Sequence, residues 1–237
     1  MRIDNRTVLV VGGCGTLGSV VADLLESKGA RVVVADCSNG NNQQPFVHMD
    51  VADSESVAQA MKKVTALLDG RIDILVNAAG ITSESPIVTM LDEVWEGALE
   101  VNLTGVMRTC RAVLPGMIER KWGRIINVSS QLGIKGAVDM AHYAATKAGV
   151  IGFTKSLALE AAPHNVLANT IAPGPFFTPM LAGLSEAWKT RKMAELPLKR
   201  FGHAFEVAPT VLLLSHDPGG NLYVGQTLGP NSGDVMP

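Results

Sequence analysis

Short runs of apolar and β-branched residues alternate along the chain with longer stretches in which apolar residues recur every three to four positions. The runs at Thr7–Val11, 31–35, 46–49, 72–76, 124–128, Val166–Ile171 and 226–228 read as strands. Between them, 17–28, 54–69, roughly 91–120, Ala141–Ala161 and 204–215 read as helices. Strand followed by helix, repeated, predicts an α/β fold: a Rossmann-like, doubly wound parallel sheet with helices on both faces. Leu114-Pro115-Gly116 falls inside the longest helical stretch, and proline removes a helical hydrogen bond, so a kink or break is expected there. The segment 37–45 is polar and too short for a helix with its two turns, so it reads as a loop. Repeats and linker-like composition shifts are lacking, which points to one domain over 1–237.

At 237 residues, 47% apolar and 18% charged, the chain can bury a large core and lies outside the range of disordered proteins. A net charge of −2 without a basic run gives no electrostatic footprint for nucleic acid or an anionic membrane, so a small molecule is the expected partner. No apolar run approaches the ~20 residues of a membrane span. Cys14, Cys37 and Cys110 are odd in number and lack metal-ligand spacing, and the first strand begins too early to leave room for a signal peptide. A reduced, cytoplasmic protein is expected. His48, His164, His203 and His216 have no accompanying cysteine or carboxylate pattern, so no metal is predicted.

Gly12, Gly15 and Gly18, with Thr16 and Leu17 between the last two, follow the first strand and open the first helix. Glycine there allows a tight turn, close approach of backbone to a pyrophosphate and tight helix packing, while the helix N-terminus faces the phosphates. The second strand ends in Asp36, 18 residues after Gly18, where a carboxylate can accept both ribose hydroxyls and would repel the extra phosphate of NADP. NAD is therefore the expected cofactor. Asn77-Ala78-Ala79-Gly80 places small residues after another strand, where backbone can lie against the cofactor. Tyr143 and Lys147, four residues apart, stack a phenol beside an ammonium on one helix face. A fixed cation stabilises a phenolate, which suits the tyrosine to proton transfer. His142 points about 100° away from Tyr143 and is assigned to structure.

In the order and spacing of these motifs the chain resembles the short-chain dehydrogenase/reductase family in its single-domain classical form, over essentially the full length. Asn77 to Gly80 is similar to the family's NNAG segment, Asn102 to its helix asparagine, Ser130 to its serine 13 residues before the tyrosine, and Tyr143 to Lys147 to its YxxxK. Asp50 and Val51 resemble its adenine-binding pair, and Pro173, Gly174, Phe176 and Thr178 its segment around the nicotinamide carboxamide. The chain also departs from the pattern. Val11 replaces a threonine, Thr16 replaces a glycine, the glycine spacing matches the extended epimerase branch, and Asn231-Ser232-Gly233 stands where an acidic-Gly-Gly tail is usual. Only 90 residues follow Lys147, too few for the substrate domain of that branch.

The resemblance implies an oxidoreductase interconverting a secondary alcohol, cyclic diol or 3-hydroxyacyl group with its ketone. Tyr143 would exchange the proton, Ser130 would bond the reacting oxygen, Lys147 would depress the tyrosine and hold the nicotinamide ribose, and Asn102 would position a water. A lid over 179–197 and a mostly apolar pocket are expected, drawn from Gln131, Leu132, Ile134, Val138, Met140, Phe176, Phe177, Met180, Leu184, Trp188 and Met193. Lys189, Arg191, Lys192, Lys199 and Arg200 would admit an acidic group or carrier at the rim. Small and apolar residues on several sides of the 141–161 helix predict a homodimer or homotetramer. A sugar-nucleotide epimerase, or a regulator that binds NAD without turnover, remains the alternative.

Overall fold

The computed structural model describes residues 1–40, 42–178 and 186–236, the side chain of Trp188 apart. The expected pocket residues Met180, Leu184 and Trp188 and the first part of the expected lid lie outside what is described. The strands are β1 (Thr7–Val11), β2 (Arg31–Asp36), β3 (Phe46–His48), β4 (Ile74–Asn77), β5 (Gly123–Val128), β6 (Val166–Ile171) and β7 (Thr227–Leu228). The helices are α1 (Thr16–Ser27), α2 (Ser54–Leu67), α3 (Asp92–Leu99), α4 (Gly105–Glu119), α5 (Leu132–Lys135), α6 (Ala141–Ala161), α7 (Glu186–Glu195) and α8 (Ala204–Ser215).

The seven strands form one sheet in the order β3-β2-β1-β4-β5-β6-β7, every pair parallel. Side chains along β1 show why both faces are covered. Leu9 and Val11 pack with α2, α4 and α6 residues such as Val64, Val113 and Leu157, whereas Val8 and Val10 pack with Val21 and Leu25 of α1 and Val211 of α8. The period of two thus sends alternate residues of one apolar run into two separate cores. Strand order reverses between β1 and β4, which opens a crevice at their carboxyl ends.

The helical stretch at 91–120 is interrupted, but not at Pro115. The chain makes a π turn at Glu100–Thr104, and α4 continues through Pro115 to Glu119. Pro115 and Arg111, whose carbonyl loses its helical partner, both lie exposed, so water can serve the freed group. The 37–45 segment has no helix among its described residues, as expected. It is pinned instead: Asn42 donates to the Gly13 carbonyl at 2.9 Å, and buried Gln44 donates to Asp23 and Glu26 at 3.0 and 2.8 Å.

Candidate active site

The turn from β1 into α1 is shaped by what its glycines lack. Gly12 has φ +76°, and a Cβ there would lie 2.5 Å from Ala79 Cα and 2.6 Å from the Ala78 carbonyl carbon. Gly18 packs as tightly, with Gly13 Cα 2.8 Å from where its Cβ would be. The two walls of the crevice, Gly12 to Gly15 and Ala78 to Gly80, therefore meet backbone to backbone, joined by the Ala78 amide on the Val11 carbonyl at 2.8 Å. Gly15 caps α1 without any side chain, so Thr16, Leu17 and Gly18 present the helix N-terminus uncapped.

Asp36 closes the β2 end of this crevice. Its Oδ2 accepts from the Cys14 amide at 3.0 Å and its Oδ1 from the Ser38 amide and hydroxyl, both at 3.1 Å. A carboxylate has about four acceptor positions, and with Oδ1 taken twice it is Oδ2 that keeps capacity for a further donor. Asp50 uses Oδ1 to accept from the Ala52 amide at 2.9 Å, while Val51 is buried under Gly105 and its carbonyl accepts from Arg108 at 3.0 Å.

Asn77 does not face the crevice as expected. Its buried amide donates to Asn127 at 2.9 Å and accepts from Thr109 at 2.8 Å, and Asn127 in turn donates to Thr154 at 2.9 Å. This network braces β4 and β5 between α4 and α6, since a buried amide must bond within the protein. Only Ala78, Ala79 and Gly80 of that motif line the opening.

Three segments bring Ser130, Tyr143 and Lys147 together. The end of β5 carries two adjacent serines with different tasks. Ser129 is buried and donates to the Lys147 carbonyl at 2.7 Å, fixing α6 to the strand. Ser130 accepts from the Leu132 amide at 3.1 Å and hydrogen-bonds the Tyr143 phenol. Lys147 Nζ donates to the Val128 carbonyl at 2.9 Å and lies 5.7 Å from the centre of the Tyr143 ring. Gly133 of α5 has room for no side chain, because a Cβ would meet the Lys147 carbonyl carbon at 2.6 Å.

The electrostatics correct one expectation. Burial pushes the Tyr143 phenol up from its ordinary value, and the Ser130 hydrogen bond only partly offsets this. Burial also lowers Lys147 to about 8. The Lys147 ammonium donates to the Val128 carbonyl, and the phenol's shift is set first by burial and then by Ser130. Asn102 also differs from expectation. Its side chain is fully buried and bonds the Ile81 amide at 2.8 Å, the Ile81 carbonyl at 2.9 Å and Thr146 at 3.2 Å, tying the loop after Gly80 to α6. The π turn aims it there, and it leaves that amide little capacity to orient a water.

Three comparisons with known proteins bear on this geometry. The family model described as short chain dehydrogenase matches residues 6–189. The chain belongs to the short-chain dehydrogenase family. Among similar relatives, the 3-oxoacyl-[acyl-carrier-protein] reductase FabG of Vibrio cholerae serotype O1 is 38% identical, with each chain covered over 100% of its length. The corresponding reductase of Thermotoga maritima is 36% identical with the same full coverage, and that of Aquifex aeolicus is 40% identical over 90% of this chain and 91% of its own. The crystal structure of gox2181 superposes with a TM-score of 0.92 at 34% identity, covering 98% of this chain and 96% of that one. Membership makes the chain an NAD(P)-dependent oxidoreductase acting on CH-OH groups.

Around the family's shared machinery the expected pocket residues divide. Leu132 and Met140 are half-buried near Ser130 and Tyr143, Ile134 and Val138 are exposed, and Met193 packs on Leu196 and Phe201. Gln131 is buried, its amide nitrogen on the main chain bonds the Pro173 carbonyl at 3.1 Å, and its Oε1 has no protein partner among the described residues. An orphaned acceptor beside Ser130 fits a donor brought by a bound molecule. The Pro173 to Thr178 segment is held from behind: Gly174 bonds the Pro230 carbonyl at 3.1 Å, Phe176 bridges to Gly202, and the Phe177 ring leans on His203 with centroids 4.8 Å apart and planes tilted by 34°. A cavity of about 430 Å³ lies behind it, lined by Phe176, Leu198, Arg200, Val207 and Asn231.

His142, expected to be structural, is buried with Nε2 3.1 Å from Ser83. Among the described residues there is no group of His, Cys, Asp and Glu suited to a metal, and no helix long and apolar enough to cross a membrane. Val128, Thr146 and Gly133 went unnoticed in the sequence because they act through a carbonyl, a hydroxyl bonded to a distant amide or a missing side chain. Only Ser129 carried a signal: the alternation along β5 puts it on the same face as Asn127, toward α6.

Proposed function

We propose that this chain is an NAD(H)-dependent reductase that converts a hydrophobic ketone, first among them a 3-oxoacyl thioester, into the secondary alcohol. The convergence of Ser130, Tyr143 and Lys147 beside the glycine-lined crevice carries this reading. The crevice fits a dinucleotide: a backbone cradle that a Cβ would fill, an uncapped helix N-terminus for the pyrophosphate and a carboxylate at the ribose end. Gly12, Gly15, Thr16, Leu17 and Gly18 would hold the phosphates, and Asp36 the adenosine ribose. Asp50 and Val51 would flank the adenine. Ala78, Ala79 and Gly80 with Pro173, Gly174, Phe176 and Thr178 would line the nicotinamide end.

A nicotinamide cofactor, when bound, supplies the hydride. Tyr143 Oη gives its proton to the carbonyl oxygen, Ser130 Oγ holds that oxygen in place, and Lys147 fixes the geometry through Val128. A tyrosine is protonated at neutral pH, and burial raises this one further, so it enters the reaction as the acid that reduction needs. The sign gives a test. Reduction should hold a flat kcat/KM through neutrality and fall in the alkaline range, where Lys147 loses its charge from about 8 and the raised tyrosine then loses its proton, whereas alcohol oxidation, which needs the phenolate, should climb with pH. An oxidation rate indifferent to pH would remove Tyr143 from the proton transfer.

Preference for NADH rests on Asp36, whose negative charge opposes an added ribose phosphate. Asp36→Ala should lower the ratio of NADH to NADPH efficiency by about tenfold or more, the equivalent of roughly 1.4 kcal/mol. Steady-state rates with each cofactor measure it, and an unchanged ratio would place discrimination elsewhere. The substrate class follows the FabG relatives, which match this chain over its whole length. Net consumption of NADH with a ketone would separate this reading from an internally recycling epimerase and from a regulator without turnover. Assembly as a homodimer or homotetramer is supported by Ala145, Ala148 and Gly152, an exposed row of small residues on α6.

A further inference from the structure

One carboxylate joins three segments around the candidate site. Asp234, in the tail after β7, has a side chain only 4% exposed, and its Oδ1 accepts from Lys135 at 2.7 Å and from Lys192 at 2.9 Å. Lys135 ends α5, the short helix whose Leu132 amide fixes the Ser130 hydroxyl. Lys192 sits in the last turn of α7, within the expected lid, and also reaches Glu195 at 3.2 Å. Burial raises the Asp234 carboxyl, but the two ammoniums outweigh it and leave the group below its ordinary value.

The tail is built to deliver this residue. Asn231 is buried, accepts from the Gly233 amide at 3.0 Å and donates to the Val235 carbonyl at 2.9 Å. Asp234 donates its own amide to the Asn231 carbonyl at 3.1 Å. Gly233 lies against Pro197, just beyond α7, so closely that a Cβ would stand 2.7 Å from Pro197 Cγ. An exposed ion pair contributes little, but a buried acceptor shared by two cations is screened far less.

We propose that Asp234 is a positioning residue, a latch that ties α7 to α5 and, through the Leu132 amide of α5, steadies the Ser130 hydroxyl. The proposal rests on the reductase reading for its catalytic consequence, but not for its structural one. Asp234→Asn keeps the shape and removes the charge. Lys192→Met releases the lid arm alone and serves where the first variant folds poorly.

Hydrogen exchange read by mass spectrometry should accelerate about tenfold or more in 132–135 and 186–195 of Asp234→Asn, with α1 unchanged. In the same variant KM for the ketone should rise about tenfold while the NADH dissociation constant stays within about twofold, and adding Lys192→Met should worsen it little. Unchanged exchange in 186–195 would overturn the latch. So would equal acceleration in α1, which would mark the tail as a brace of the whole fold. An unmoved KM beside accelerated exchange would overturn its catalytic part. A wild-type protein that reduces no ketone would sink the reductase reading, and the exchange comparison would still decide the latch.

Discussion

Tyr143→Phe should lower turnover by about two to four orders of magnitude, the contribution expected of one general acid, while leaving NADH affinity within about threefold. The substitution removes a single oxygen. The ring stays on α6, still 5.7 Å from the Lys147 ammonium, and the packing that places both residues is retained. What disappears is the hydrogen bond to Ser130 and the phenolic proton that the mechanism transfers. Because a neutral hydrogen bond contributes about 1 kcal/mol net, the melting temperature should move by only a few degrees. NADH fluorescence titration measures binding, and the absorbance decay with a 3-oxoacyl thioester measures turnover. Full activity in this variant would sink the proton-transfer role. Equal loss of binding and turnover would mean that the phenol supports the cofactor and not the chemistry.

The topology could be read from the chain because its signals are local. An alternating run such as Val8 to Val11 states by itself that two faces are buried, and glycines between strand and helix state that a turn is tight. Features that depend on distant contacts were less visible. Pro115 looked disruptive only because its exposure on α4 could not be known, and Asn102 gave no hint of the π turn that carries it inward. Tyr143 and Lys147 were correctly paired on one face, yet the direction of the tyrosine's shift came out reversed. Spacing reports proximity, whereas burial, set by the segments packed over the helix, decided the sign. Asn77 illustrates the same limit: its motif was visible, but which way its amide faced depended on Asn127, 50 positions away. The unusual tail could be noticed as a departure, while its purpose needed Lys135, 99 residues earlier.

Gly12→Ala should abolish measurable NADH binding, weakening it by more than about 100-fold, roughly 2.7 kcal/mol or more. The atoms that a methyl group would meet are Ala79 Cα at 2.5 Å and the Ala78 carbonyl carbon at 2.6 Å. Both are backbone, so no side chain can rotate away, and the left-handed φ of +76° adds about 1 to 2 kcal/mol of strain for any residue with a Cβ. Relief requires the β1 turn and the end of β4 to separate. That would disturb the Gly12 amide on the Ala35 carbonyl, 2.8 Å away, and with it the placement of Cys14 against Asp36. A cradle whose walls shift apart loses the converging amides on which phosphate affinity depends. Stability should fall as well, by about 1 to 3 kcal/mol, as for other overpacked sites. Gly97→Ala supplies the control, since nothing lies within 4 Å of its would-be Cβ in α3. That variant should bind NADH normally and melt no lower than the parent, because alanine is the better helix former. If Gly12→Ala binds NADH as the parent does, the crevice between β1 and β4 is not where the cofactor sits, and the assignment of Asp36 falls with it.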